Sequence, residues 1–113
     1  MKIQDKPATT KGPAETFTGD VWIDGVAGDE FCGQTLYVTE GVGLVQARGA
    51  PVIEIRPGDV IYTPLGEEHW HGAAPTHYMT HVALWEVDDQ GVSAIWGAHV
   101  TDDEYRAKPS NGR

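Results

Sequence analysis

Eight short runs rich in β-branched and aromatic residues, bounded by glycine, proline or aspartate, constrain this chain more than any other feature. They cover residues 21–23, 34–39, 43–47, 52–56, 59–63, 69–72, 78–86 and 94–99. Runs this short cannot carry the 3.6-residue periodicity of a core helix, and no helical stretches alternate with them as βαβ units would require. Short strands at such spacing describe an antiparallel sandwich or barrel. Fourteen glycines and seven prolines in 113 residues supply the turns. Alternation within 34–38 puts Gln34, Leu36 and Val38 on one face. If that face is the interior, Gln34 is an inward polar group that needs a partner. Gly41-Val42-Gly43 reads as a hairpin turn. Only Thr101-Asp102-Asp103-Glu104 reads as helical: a capping box that opens about two turns before Pro109.

The length predicts one domain, over residues 17–106, between flexible tails at 1–16 and 107–113. Eight basic against seventeen acidic side chains give a net charge of −9. Such a surface repels phosphate backbones and anionic headgroups, so neither nucleic acid nor membrane is expected as a partner. Cys32 is the only cysteine, which rules out an intrachain disulfide. The amino-terminal residues lack the apolar run of a signal peptide, and a cytoplasmic address is expected.

The chemistry concentrates in residues 58–72. A strand ends at Pro64, a turn uses Gly66, and the next strand opens with His69 and His71, whose i and i+2 spacing sends both imidazoles to one side. Alternation in 78–85 places His81 on a face with Met79, Ala83 and Trp85. If both faces are interior, three imidazoles enter one cavity. Read without further context, His69 and His71 are hydrogen-bonded barrel histidines. His77, in a loop, and His99, near the acidic cap, read as surface residues.

Gly58, Pro64, Gly66 and His69 match the second motif of the cupins, G-x5-P-x-G-x2-H, with Ala73 where that motif continues to Asn. The second half of the first motif is also present, with Gln34 in the place of the acidic ligand and Gly41 seven positions later. From Gly33 to Glu86, and again at 99–102, the chain resembles the small bacterial manganese cupins that include hydroxynitrile lyases. The resemblance implies an all-β fold, a cupin-type β-barrel or jelly roll, abbreviated here, with a short C-terminal helix. It also implies a divalent transition metal, manganese foremost and iron or zinc otherwise, with Gln34 and His69 among its ligands. His71 and His81 would then line the pocket and handle the substrate proton.

This chain departs from that pattern upstream of Gln34. No histidine precedes His69, so the first-motif His-x-His is missing. Relative to the family, a segment on the order of twenty residues is absent between Ile23 and Cys32, enough for about two strands. One imidazole and one amide oxygen hold a divalent ion weakly, which predicts weak or absent metal unless His71 and His81 join His69 and Gln34 as direct ligands. Two functions follow from the resemblance: a metal-dependent lyase acting on a small cyanohydrin or carbonyl substrate, and a metal-free small-molecule-binding or structural module. A barrel short of strands leaves edges and faces uncovered, so a homodimer or higher homo-oligomer is expected.

Overall fold

The computed structural model describes residues 8–20, 22–23, 33–64, 66–85 and 97–111. Its strands are β1 (Thr10–Lys11), β2 (Trp22–Ile23), β3 (Gln34–Gly41), β4 (Gly43–Ala47), β5 (Ile53–Ile55), β6 (Val60–Thr63), β7 (His69–Ala73) and β8 (Met79–Trp85), followed by one helix, α1 (Asp102–Arg106). The predicted strands at 21–23 and 78–86 reach residues Val21 and Glu86, which lie outside the described ones, as do Cys32 and positions 94–96. Residues 97–99 of the last predicted strand are not strand: His99 instead binds Thr18 Oγ1 and the Glu15 carbonyl (3.2 Å) through its two ring nitrogens.

Two three-stranded antiparallel sheets, in the orders β6-β3-β8 and β5-β4-β7, form the body, and β1 pairs with β2. This is the all-β cupin architecture. The alternation of β3 decides what faces inward: Leu36 and Val38 are 1% and 0% exposed, whereas Tyr37 between them is 47% exposed. Val38 and Ile61 from the first sheet meet Val45 and Ile55 from the second, with Met79 packed against them. A second cluster (Leu44, Val52 and Ala74) lies on the other face of β5-β4-β7, where Tyr105 of α1 covers it. Tyr105 also donates a hydrogen bond to the Ala73 carbonyl at 2.7 Å. The capping box of α1 is as predicted, with Thr101 and Glu104 reciprocally bonded, but the helix is five residues long, shorter than two turns.

Gly41-Val42-Gly43 is not a hairpin. β3 pairs with β6 and β8, and β4 pairs with β5 and β7, so the chain passes from one sheet to the other at Val42. The physical reason is backbone crowding. Gly41 has a φ of 79°, and a Cβ there would overlap the Tyr78 carbonyl, so only glycine lets the chain turn so close to the next strand. Val42 is held on both sides, its N–H by the Tyr78 carbonyl and its carbonyl by the Ala74 N–H, each at 2.9 Å.

The open side of β5 is closed by the end of the described chain. Ser110 N–H donates to the Val52 carbonyl at 2.9 Å. The Asn111 side chain then accepts from Glu54 N–H at 3.3 Å and donates to its carbonyl at 2.7 Å, as a neighbouring strand's backbone would. Among the described residues, no helix is long and apolar enough to cross a membrane.

Candidate active site

The turn that carries the second-motif residues puts three imidazoles between the sheets. After β6 the chain turns at Gly66 (φ 87°) and enters β7, which lies against β4 with Ala47 opposite His69 and Val45 opposite His71. In the other sheet, Val38 stands opposite His81 and Gln34 opposite Trp85. His69 and Gln34 thus share one level of the cavity. His71 and His81 share another, beside core residues Val45 and Val38.

Gln34, the inward polar group expected to need a partner, finds it in His69: its Oε1 lies 2.7 Å from His69 Nε2. Nδ1 of the same ring lies 3.2 Å from the Glu67 carbonyl. That carbonyl can only accept, so Nδ1 carries the proton, and Nε2 turns a lone pair toward an oxygen that is also an acceptor. A second ring proton, a turned Gln34 amide or a shared cation would each resolve the conflict.

His71 and His81 meet edge to face, with ring centroids 5.0 Å apart, and His69 stacks on His71 at 6.1 Å. Nδ1 of His71 and Nδ1 of His81 are both buried without a hydrogen-bond partner. Leaving a buried polar group unpaired costs about 1–3 kcal/mol, and such groups are retained where a ligand or a reaction uses them. Burial, followed by the influence of His81 and then His69, pushes His71 down to about 4. Burial also lowers His81. Near neutral pH both rings are therefore uncharged and able to accept a proton.

A divalent ion in imidazole and amide coordination takes three or more protein donors. His69 and Gln34 are side by side as two such donors would be, but among the described residues no three His, Cys, Asp or Glu side chains surround a common point. The alternative in which His71 and His81 join His69 and Gln34 as direct ligands is not assembled among the described residues. The described residues therefore do not by themselves fit a transition ion.

Some contributors to the site carry no sequence signal. The Glu67 carbonyl orients His69 through the backbone. Arg48 grips Glu68 with two hydrogen bonds, of 2.6 and 2.7 Å, and its N–H donates to the Glu68 carbonyl at 2.8 Å, which ties the turn before His69 to the end of β4. His77 and His99 are exposed, as predicted. Two surface concavities lie elsewhere, one along Ala74, Tyr105 and Lys108, the other along Ile55, Val60 and Asn111.

Two facing antiparallel sheets with the second-motif histidine between them define a cupin, and the chain belongs to that family. Within it the chain is one of the small cupins that resemble hydroxynitrile lyases. It is 45% identical to the (R)-mandelonitrile lyase of Granulicella tundricola, in an alignment that covers 94% of this chain and 98% of that protein. That alignment runs over 129 positions against 113 residues here, so at least 16 positions of the lyase have no counterpart in this chain. Among solved structures it is similar to a cupin-like protein from Thermotoga maritima, with a TM-score of 0.63 and 38% identity. The match covers 74% of this chain and 62% of that one. No family model matches the chain.

Proposed function

We propose that this chain is a small-molecule lyase of the hydroxynitrile type whose proton chemistry rests on His71 and His81. The observation that carries the reading is this pair of neutral, buried imidazoles with unpartnered Nδ1 atoms, kept in a chain 45% identical to a mandelonitrile lyase. Cleaving a cyanohydrin requires a base for the hydroxyl proton. As that proton leaves, the O–H electron pair becomes the second carbon–oxygen bond, the C–C bond breaks, and its electrons depart on cyanide. A proton returned to cyanide completes the balance as a carbonyl compound and hydrogen cyanide. A neutral imidazole with a depressed pKa accepts the first proton, and its conjugate acid gives a proton up readily. His69 and Gln34, at the other level, supply polar contacts that would orient the substrate oxygen.

One observation favours a second reading, a binding module without turnover: the donor set for a transition ion is incomplete among the described residues. Turnover of racemic mandelonitrile by purified protein, followed as benzaldehyde release beside its metal content, separates the two. Benzaldehyde release above the buffer rate that is lost in His71→Ala supports the lyase. Saturable binding of benzaldehyde or mandelonitrile without release supports the module.

A further inference from the structure

We propose that the concavity between α1 and the outer face of the β5-β4-β7 sheet binds a small organic carboxylate, at a site separate from the imidazole cavity. Strand alternation sets the two back to back. On β4, Val45 packs inward against Val38 and Ile55, whereas its neighbour Leu44 packs outward beneath Tyr105. Leu44 and Ala74, both buried, give the concavity an apolar floor. Tyr105 closes one side, its ring held by the hydrogen bond from its hydroxyl to the Ala73 carbonyl. The enclosed space is about 220 Å³, below the ~300–1,000 Å³ of sites for drug-sized ligands, so its occupant is a single ring or a short branched chain.

Charge selects the carboxylate. With seventeen acidic side chains against eight basic ones, a cation here has carboxylates in excess to pair with. Five lysines and arginines fall among the described residues. Lys11 pairs with Asp20 at 3.0 Å, Arg48 with Glu68 at 2.6 Å and Arg56 with Glu54 at 2.8 Å. Arg106 and Lys108 have no ion pair among the described residues, and both line this concavity. Glu54, the carboxylate on the same wall, is the one that Arg56 already holds, so it claims neither cation. Two free cations beside an apolar floor fit a ligand with a carboxylate at one end and an apolar body at the other. The guanidinium offers paired N–H donors that match the two carboxylate oxygens, and the ammonium adds a second charge. A bare anion would satisfy the cations and leave the floor in water, whereas a neutral ring would do the reverse.

Titration of the intact, isotope-labelled chain with sodium benzoate, followed through its amide chemical shifts at physiological salt, tests this. The amides of Ala74, Tyr105 and Lys108 should move saturably, with a Kd at or below about 1 mM. Benzyl alcohol, which lacks the charge, and inorganic phosphate, which lacks the apolar body, should each bind at least ~10-fold more weakly. Arg106→Gln and Lys108→Gln, at exposed positions, should each weaken benzoate binding by about 5- to 10-fold. Lys11→Gln removes the same charge from a cation that is already paired and should leave binding unchanged, because net charge alone is screened. Far-UV circular dichroism checks that the variants fold, and if they do not, the three ligands compared on the parent chain decide. Shifts that do not saturate, or that gather around His71 instead, overturn the proposal. Equal affinity for benzyl alcohol or phosphate, or benzoate binding that folded Arg106→Gln and Lys108→Gln leave intact or that Lys11→Gln weakens as much, overturns it equally.

Discussion

Gln34 Oε1 and His69 Nε2 stand 2.7 Å apart, two acceptors turned toward each other once the Glu67 carbonyl has claimed the proton on His69 Nδ1. The pair joins β3 of one sheet to the first residue of β7 in the other. With the Gln34 amide turned so that its N–H donates to His69 Nε2, replacing Gln34 with Leu would leave that ring nitrogen without a partner. We expect a loss of about 1–3 kcal/mol in chemical denaturation.

Metal content is the second expectation. With two adjacent donors, protein purified from cells supplied with manganese, iron or zinc should retain well under one ion per chain after dialysis. His71→Ala should match the parent in mass-spectrometric metal analysis, since His71 is not placed as a direct ligand. Stoichiometric metal in the parent, lost in His71→Ala, would mean that the imidazoles regroup around an ion.

Turnover should depend on the deeper pair. If His71 and His81 exchange protons with substrate, alanine at either position should lower kcat for mandelonitrile cleavage by about 10²- to 10⁴-fold. His77→Ala, at an exposed loop position, should have no effect on either kcat or KM.

Acid should destabilise the fold through the same residues. His71 is held at about 4 in the fold, against 6.5 when unfolded. Between those values the unfolded chain binds a proton that the folded chain refuses. Stability is therefore complete above the unfolded value, falls as pH drops through it, and levels off below about 4, with a total loss of about 3 kcal/mol from this group. The lowered His81 adds a loss of the same sign. Urea titrations of the parent and His71→Leu between pH 7 and pH 4 should show a shallower decline in the variant.

Gly43 is a second position where the core leaves no room for a Cβ. A Cβ there would overlap Met79 Sδ and lie 2.9 Å from the Gly72 carbonyl oxygen. Gly43→Ala should cost about 1–3 kcal/mol, read as a lowered Tm, because the Gly72 backbone cannot yield as the thioether can.

Much of this was legible in the sequence, and the reasons differ from residue to residue. Strand alternation put Leu36 and Val38 on one face with Gln34, and the structure buries that face, since a period of two leaves no other choice once one side of a sheet is covered. The second cupin motif and the i and i+2 spacing of His69 and His71 singled out imidazoles that the structure brings together, and Gln34 meets His69 as an inward polar group needing a partner would. The Val42 crossing was not legible, since Gly-x-Gly between two apolar runs is equally compatible with a hairpin and a corner. Only the approach of Gly41 to the Tyr78 carbonyl, thirty-seven residues away in sequence, decides between them. The predicted strand at 94–99 failed over residues 97–99, where His99 bonds to Thr18 and Glu15 across more than eighty residues. No local pattern encodes such a contact.

The passage at Val42 bears on how the chain is made. No two strands adjacent in sequence pair within the β6-β3-β8 sheet, so β3 must wait for both of its neighbours. During synthesis β3 leaves the ribosome with neither edge satisfied. Its second partner is complete only when Trp85 has emerged, three-quarters of the way through the 113 residues. Until then Tyr37 and the unpaired backbone beside it are exposed together, and the nascent chain is at its most adhesive. Slow folding of such non-local topologies lengthens that interval. The yield of native protein should therefore respond to translation speed over the codons between β3 and β8 more than to those on either side.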